Sequence, residues 1–245
     1  MIMNKTSEYQ LTILVPVFNE EDNMGQLEQR LAEYLPTALV PACVLFVNDG
    51  SRDRSLEKIQ DICRRRPHFY YISLAKNSGL SAAIKAGIDC TESRLVGYID
   101  ADLQTAPEDF NLLLKDIDEY EMVMGIRANR KDTGFKKVQS KIANGWRRMM
   151  TGDDVKDTGC PLKVMHTENA KRVPFFTGMH RFLPALFLLQ DAHYKQIPVR
   201  HFPRTAGQSK YHLWNRLVGP FMDCFAYRWM KSRYINYQVA DNDIR

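Results

Sequence analysis

Residues 95–104 read LVGYIDADLQ, a short apolar run followed by two carboxylates, at 100 and 102, with one residue between them. A run of this length and composition predicts a buried strand that ends at Asp100 and Asp102. Similar runs lie at 11–17, 44–48, 69–74 and 122–126. Helical periodicity lies between or after them at about 20–35, 52–65, 79–91 and 107–120. Alternating strands and helices predict an α/β fold with a mostly parallel central sheet flanked by helices.

Polar residues follow three of these predicted strands: Glu20 after the first, Asp49 after the second, and Asp100 with Asp102 after the fourth. The carboxyl ends of parallel strands meet at one edge of the sheet, where α/β proteins bind their ligands. We therefore expect one shared polar site. The fourth helix is expected to begin with a capping box in which Thr105 faces Glu108.

The spacing of Asp100 and Asp102 lets both carboxylates approach one hard cation, and Gln104 could add a neutral carbonyl oxygen. Mg²⁺ and Mn²⁺ take such oxygen ligands and accept further ones from phosphate and water. A divalent cation is therefore the expected cofactor, and it would neutralise a diphosphate leaving group.

Several other classes of protein lack support in the sequence. No P-loop is present, no G-x-G-x-x-G follows the first strand, and the histidines lack ligand spacing, with only His180 kept as a candidate. No apolar stretch approaches 18 residues, no signal peptide is visible, and the five cysteines form no C-x-x-C. These features predict a cytoplasmic location.

Charge is unevenly distributed along the chain. Residues 1–126 carry 12 basic and 20 acidic side chains, whereas residues 127–245 carry 22 basic and 9 acidic ones. Predicted helices at 134–150 and 211–232 combine basic residues with apolar faces, and a strand is expected near 194–200. Two interpretations of these helices stay open: packing in the core with a solvated basic face, or peripheral contact with the cytoplasmic face of an anionic membrane. No nucleic-acid-binding motif accompanies the basic residues, so no nucleic-acid partner is expected.

Seven motifs occur in the order found in one enzyme family, and they cover nearly the whole chain. They are VPVFNE (15–20), VNDGSRD (47–53), DADLQ with PE (100–108), GIRANR (125–130), DTGC (157–160), HRF (180–182) and RTAGQSKY (204–211). The chain thereby resembles family 2 glycosyltransferases with the GT-A fold, a Rossmann-like nucleotide-diphospho-sugar transferase architecture. The resemblance is strongest to the branch of dolichol-phosphate mannosyltransferases and polyprenyl-phosphate glycosyltransferases.

The resemblance implies roles for individual residues. Those that would contact the nucleotide sugar are Pro16, Val17, Glu20, Asp49, Asp100, Ala101, Asp102 and Arg127. The implied metal ligands are Asp102 and Gln104, and the implied contacts to an acceptor phosphate are Arg130, Arg181, Arg204, Ser209 and Lys210. The candidate catalytic residues are Asp100, Asp102, Asp157 and Arg204.

The resemblance also implies a domain plan. A GT-A catalytic domain would span 1–210, with a nucleotide-binding half at 1–126 and an acceptor-binding half at 127–210, before a C-terminal amphipathic helix and tail at 211–245. The chain departs from many relatives after Gly159, where Cys-Pro-Leu-Lys replaces a Phe-Arg pattern. The Q-x-x-R-W signature of processive synthases is absent.

The implied reaction is inverting transfer of a sugar from GDP-mannose or a UDP-sugar to a dolichyl or undecaprenyl phosphate. The second pKa of a phosphate monoester is about 6, so the acceptor is already an anion and requires no strong base. A GT-A enzyme with a hydroxyl acceptor, in cell-surface polysaccharide synthesis, would need a base, and Asp157 is the candidate. A nucleotide-sugar-binding protein without turnover is the third hypothesis.

Overall fold

A computed structural model of the chain describes residues 5–127, 145–203, 213–237 and 240–241, and the side chains of all of these except 213–218. The described strands form one seven-stranded sheet in the order β3-β2-β1-β4-β6-β5-β7. They are β1 Leu11–Val17, β2 Ala42–Asn48, β3 Phe69–Ser73, β4 Leu95–Tyr98, β5 Met122–Arg127, β6 Lys163–His166 and β7 Tyr194–Val199.

Helices cover both faces of this sheet. They are α1 Met24–Tyr34, α2 Ser55–Arg65, α3 Leu80–Asp89, α4 Phe110–Leu114, α5 at 145–151, α6 Thr167–Arg172, α7 Leu183–Leu188 and α8 Leu213–Arg233. Short 3₁₀ turns lie at Lys5–Glu8, Leu35–Thr37, Pro107–Asp109 and Met179–Arg181. One buried cluster includes Leu27 and Phe110 and the other includes Ile84 and Phe182, so the core has a layer on each side of the sheet.

The predicted parallel arrangement is confirmed for β3, β2, β1 and β4, which pair side by side in parallel. Every residue of β2 and β4 is buried, as their continuous apolar runs require for strands covered on both faces. The predicted strand near 194–200 is also present, as β7, parallel to β5. The carboxyl ends of the parallel strands therefore share one edge, which we call the upper edge.

Two sequence-based expectations about local structure are wrong. The predicted helix at 107–120 is a 3₁₀ turn followed by the five-residue α4. The capping box is absent, because Ala106 occupies the N-cap position of that turn and the Thr105 hydroxyl is buried without a hydrogen-bond partner. The strand β6 was not expected at all, and it runs antiparallel to both β4 and β5.

The helix α8 packs one face on the buried cluster that includes Ile84 and Phe182 and leaves the other face exposed. The Tyr227 hydroxyl donates a hydrogen bond to the Ala185 carbonyl at 3.0 Å, and Cys224 is buried on the same face.

The expected domain limit at residue 211 stays a prediction. Within the described ranges, no helix combines the length and the apolar character needed to span a bilayer.

Candidate functional site

The loops that follow β1 and β2 are tied together at the upper edge. The Asn19 backbone amide donates to the Ser51 hydroxyl at 3.0 Å, and the Glu20 amide donates to the Ser55 hydroxyl at 2.9 Å. Pro16 and Val17, the last two residues of β1, lie beside β2 in register. The predicted nucleotide contacts at 16, 17 and 20 thus lie together at the upper edge, where hydrogen bonds join the loops after β1 and β2.

Asp49 is buried and holds the loop that leads into α3. Its carboxylate accepts hydrogen bonds from the Asn77 side-chain amide at 2.8 Å and from the backbone amides of Ser78 at 2.7 Å and Gly79 at 2.9 Å. These backbone amides precede the first turn of α3, where a negative charge is favourable. Asp49 therefore fixes the shape of the loop, and any hydrogen bond to a nucleotide base would be additional to these three.

Gly50 is required where this loop passes Asp49. Its φ is +63°, and a Cβ atom there would lie 2.5 Å from the Asn77 backbone nitrogen. Neither the backbone angle nor the space accepts a larger residue.

Asp100 and Asp102 lie just beyond β4, as expected. The Tyr98 hydroxyl donates to Asp100 Oδ1 at 2.5 Å, and the Gln104 backbone amide donates to Asp102 Oδ1 at 3.2 Å. Leu103, between Asp102 and Gln104, has a left-handed φ of 60°, which turns the chain back towards Asp102. The expected contact Ala101 is buried, at 4% exposure.

The electrostatics of this carboxylate pair suit a divalent cation. Burial, and then the charge of Asp102, raise the pKa of Asp100 to about 6. A dication between the two groups would relieve their repulsion, and the donors are the hard oxygens that Mg²⁺ and Mn²⁺ prefer. No three His, Cys, Asp or Glu side chains in the described ranges are placed to hold a metal ion. The Gln104 side chain, phosphate and water would have to complete the ligand set.

A segment after β7 closes against this site. The backbone carbonyl of Gln104 accepts hydrogen bonds from the Phe202 backbone amide at 2.9 Å and from His201 Nδ1 at 3.1 Å. Because a carbonyl oxygen can only accept, this hydrogen bond places a proton on Nδ1. The sequence analysis did not select His201, because a single histidine without a spacing pattern carries no signal.

Arg127 and Asp157 form a two-pronged ion pair beside the carboxylates. Arg127 Nε and Nη2 lie 2.7 Å from Asp157 Oδ2 and Oδ1, and the Arg127 and Gly159 backbone amides each donate to the same carboxylate at 3.2 Å. A Cβ atom on Gly159 would lie 2.7 Å from Arg127 Nη2, which explains the glycine in DTGC. Burial lowers the pKa of Arg127, but the hydrogen bonds and charge of Asp157 outweigh it, so the pKa is raised.

Lys163, from the departing Cys-Pro-Leu-Lys segment, is buried beneath the site at 1% exposure. Its ammonium donates to the Cys160 carbonyl and lies 5.8 Å from the Tyr98 ring centroid. Burial lowers the pKa of Lys163, and the charges of Asp157 and Asp100 act in the opposite direction. In the sequence this segment stands out only as a difference from the Phe-Arg pattern of many relatives. A lysine inside a four-residue strand has no alternation of apolar residues that would reveal its burial.

His180 and Arg181 lie in the 3₁₀ turn before α7. His180 Nδ1 is 2.9 Å from the Ser81 hydroxyl, which also accepts the Gly178 backbone amide at 3.0 Å. Burial, followed by the charge of Arg181, lowers the pKa of His180 to about 3, so this imidazole is neutral at physiological pH. His180 therefore joins this turn to α3.

The predicted acceptor contacts Arg130, Arg204, Ser209 and Lys210 lie outside the described residues.

A separate cavity of about 1000 Å³ lies against β3, on the outer edge of the sheet. Tyr9, His68 and Tyr70 line it, and the Tyr9 hydroxyl lies within hydrogen-bond distance of His68 Nδ1, at 2.7 Å, and of the Tyr70 hydroxyl, at 3.0 Å. None of the site residues predicted within the described ranges lines this cavity.

Comparison with known proteins agrees with the geometry. Residues 12–175 match the family model described as Glycosyl transferase family 2. A dodecaprenyl-phosphate galacturonate synthase of Rhizobium johnstonii is 33% identical over 208 residues, covering 82% of this chain and 62% of the relative. An undecaprenyl-phosphate 4-deoxy-4-formamido-L-arabinose transferase of Edwardsiella ictaluri is 31% identical over 211 residues, covering 85% and 65%. The chain thus spans less than two thirds of the length of these curated relatives.

Solved structures resemble the whole described fold. Glucosyl-3-phosphoglycerate synthase of Mycobacterium tuberculosis, in complex with Mn²⁺, uridine diphosphate and glucosyl-3-phosphoglycerate, superposes with a TM-score of 0.65 at 13% identity. The match covers 93% of this chain and 81% of that one. At this identity the likeness shows the fold, and the predicted GT-A architecture is confirmed.

Proposed function

The chain belongs to glycosyl transferase family 2, and we propose that it transfers a sugar, with inversion, from a nucleoside diphosphate sugar to a polyprenyl phosphate. Both curated relatives described above are named for a polyprenyl-phosphate product or acceptor. The donor would be a UDP-sugar or GDP-mannose, and the lipid a dolichyl or undecaprenyl phosphate. The polar residues at the upper edge of the sheet support binding of the donor there.

The observation that carries this proposal is the engagement of Asp157. A general base needs a carboxylate that can accept a proton from the acceptor hydroxyl. Here both Asp157 oxygens already accept hydrogen bonds from Arg127, each at 2.7 Å, so the carboxylate serves to hold the arginine. That arrangement supports an acceptor that is already anionic, such as a phosphate monoester, over a hydroxyl.

The remaining task of the site is to bring two anions together. An acceptor phosphate about 5 Å from the donor diphosphate would be repelled by roughly 3 kcal/mol at an effective dielectric constant of 20. Mg²⁺ or Mn²⁺, held by Asp102 and Gln104 beside Asp100, would supply charge neutralisation as the sugar–phosphate bond breaks. Arg181, with the predicted contacts Arg130, Arg204, Ser209 and Lys210, would attract the acceptor phosphate.

An exposed aromatic surface is the proposed contact with the membrane that contains the lipid acceptor. The Trp146 ring of α5 stacks on Phe221 of α8 at 5.0 Å between centroids. Along α8, Met222, Phe225 and Trp229 are 58%, 46% and 65% exposed. Exposed basic residues adjoin them: Arg148, Arg228, Lys231 and Arg233. An apolar surface with a basic border is suited to peripheral binding on anionic lipid.

The function can be tested with a labelled UDP- or GDP-sugar, extracted polyprenyl phosphate and Mn²⁺. Butanol-soluble labelled product is expected, and Asp102→Ala should abolish it. A water-soluble glycoside as the product would instead indicate the hydroxyl-acceptor enzyme. Binding without any product would indicate a nucleotide-sugar-binding protein.

A further inference from the structure

Lys163 places its ammonium group close to Tyr98, the residue that donates a hydrogen bond to Asp100. It belongs to β6, where it pairs in register with Tyr98 of β4 and Met124 of β5. The side chain is 1% exposed, and its ammonium donates to the Cys160 carbonyl. No carboxylate in the described part of the chain forms an ion pair with it. A buried ammonium with so few acceptors is costly, which indicates a role beyond packing.

Tyr98 connects this charge to Asp100. The Tyr98 hydroxyl donates to Asp100 Oδ1 at 2.5 Å, while the Lys163 ammonium lies 5.8 Å from the centroid of the same ring. A cation at this distance is attracted by the ring electrons. The positive charge of Lys163 also lowers the pKa of Asp100, against the larger effects of burial and Asp102. Tyr98 thus orients the Asp100 carboxylate, and the positive charge of Lys163 partly offsets its negative charge.

The charge of Lys163 acts differently on a free dication and on a dication bound to a diphosphate. A free dication approaching Asp100 and Asp102 is repelled by the ammonium through the low-dielectric interior. A dication that arrives with the nucleotide diphosphate carries little net positive charge, so the same ammonium repels it weakly or attracts the complex.

We infer that Lys163 is a positioning residue that weakens the binding of a free divalent cation to Asp100 and Asp102, so that the cation is held only together with the diphosphate. This inference rests on the proposed function, because it assumes that the carboxylate pair holds Mg²⁺ or Mn²⁺ beside a nucleotide. It gives the Cys-Pro-Leu-Lys segment, which differs from many relatives, a part in making the cation bind together with the nucleotide.

The test is a Mn²⁺ titration followed by electron paramagnetic resonance, which reports the free ion without any turnover. Without nucleotide, Lys163→Met should bind Mn²⁺ about tenfold or more tightly than the wild type, because the repelling charge is gone. With UDP, or GDP in a parallel series, the difference should shrink to about threefold or less. Lys163→Arg keeps the charge, and Met165→Leu changes packing on the same strand, so both should behave as the wild type.

Equal Mn²⁺ affinities of the wild type and Lys163→Met without nucleotide would overturn the inference alone. Failure of the wild type to bind Mn²⁺ even with UDP or GDP would overturn the proposed metal role as well. Circular dichroism checks the folding of each variant, and Lys163→Gln serves as a second neutral variant. Should both neutral variants unfold, the wild type decides: a nucleotide-dependent gain in Mn²⁺ affinity below about threefold contradicts the inference.

Discussion

Arg127 holds Asp157 through two parallel hydrogen bonds of 2.7 Å each, and both side chains are largely buried, at 16% and 7% exposure. Within the proposed reaction this pair leaves Asp157 as an anchor for Arg127. The arginine is thereby fixed beside Asp100, whose charge acts on it.

Breaking this ion pair should destabilise the fold. Asp157→Asn is expected to lower the free energy of unfolding by about 3 kcal/mol, since it leaves the Arg127 guanidinium buried without its counter-charge. The double variant Arg127→Met/Asp157→Leu should lose less, because no uncompensated charge remains. Urea unfolding measures both. A double variant that loses as much as Asp157→Asn, or more, would refute this account of the pair.

The stability of the protein without metal should depend on the protonation of Asp100. Its folded pKa of about 6 lies above the ordinary value of 3.8, so the folded state binds this proton more tightly than the unfolded state. Asp100 should therefore reduce stability progressively as the pH rises from about 4 to about 6, by at most about 3 kcal/mol. The measurement is urea unfolding in EDTA across this range, with Asp100→Asn as the reference. Parallel curves for the two proteins would show that Asp100 has no raised pKa.

Gly50 should resist substitution far more than an exposed helical glycine. Gly50→Ala places a Cβ atom 2.5 Å from the Asn77 backbone nitrogen at a φ of +63°. A loss of about 2 kcal/mol or more in stability is expected, together with weaker nucleotide binding. Gly25 in α1 is the matched control, since a Cβ atom there meets nothing within 4 Å. Gly25→Ala should be neutral or stabilise by up to about 1 kcal/mol, and thermal unfolding compares the two.

The aromatic surface of α8 should govern attachment to anionic vesicles. Trp229→Ser removes a side chain that is 65% exposed, and about tenfold weaker binding is expected from the lost apolar contact. Leu39→Ser, at a residue 57% exposed before β2, is the control and should leave binding unchanged. Vesicle co-sedimentation measures both variants. Equal loss in the two, or in neither, would argue against α8 as the membrane contact.

The strands that lead to the site could be predicted because each is a largely apolar run with polar residues at or soon after its end. The strand β6 could not, since its four residues, KVMH, contain a lysine and a histidine and carry no strand pattern. Its pairing with β4 and β5 depends on contacts between distant parts of the chain. There the Lys163 ammonium donates to the Cys160 carbonyl and lies near the Tyr98 ring, and the charges of Asp157 and Asp100 favour its protonated form against the effect of burial.

Local signals near the site were also overridden by tertiary structure. The Thr105 and Glu108 pair fits a capping box, yet Glu108 lies 3.4 Å from both Arg30 and Arg200. The predicted positions 16, 17, 20, 49, 100, 102 and 104 do lie at the upper edge of the sheet. Their hydrogen bonds to Ser55 and Asn77 were not readable from spacing, because each of these partners lies on another segment.

The most direct test of the central claim compares two acceptors that differ only at the reacting group. The enzyme, Mn²⁺ and a labelled donor sugar are incubated with undecaprenyl phosphate or with undecaprenol, and the butanol-soluble label is counted. The account predicts labelled lipid from the phosphate and none from the alcohol, because Asp157, the candidate base for a hydroxyl acceptor, is held by Arg127. Transfer to the alcohol at a comparable rate, or no transfer to the phosphate, would contradict it.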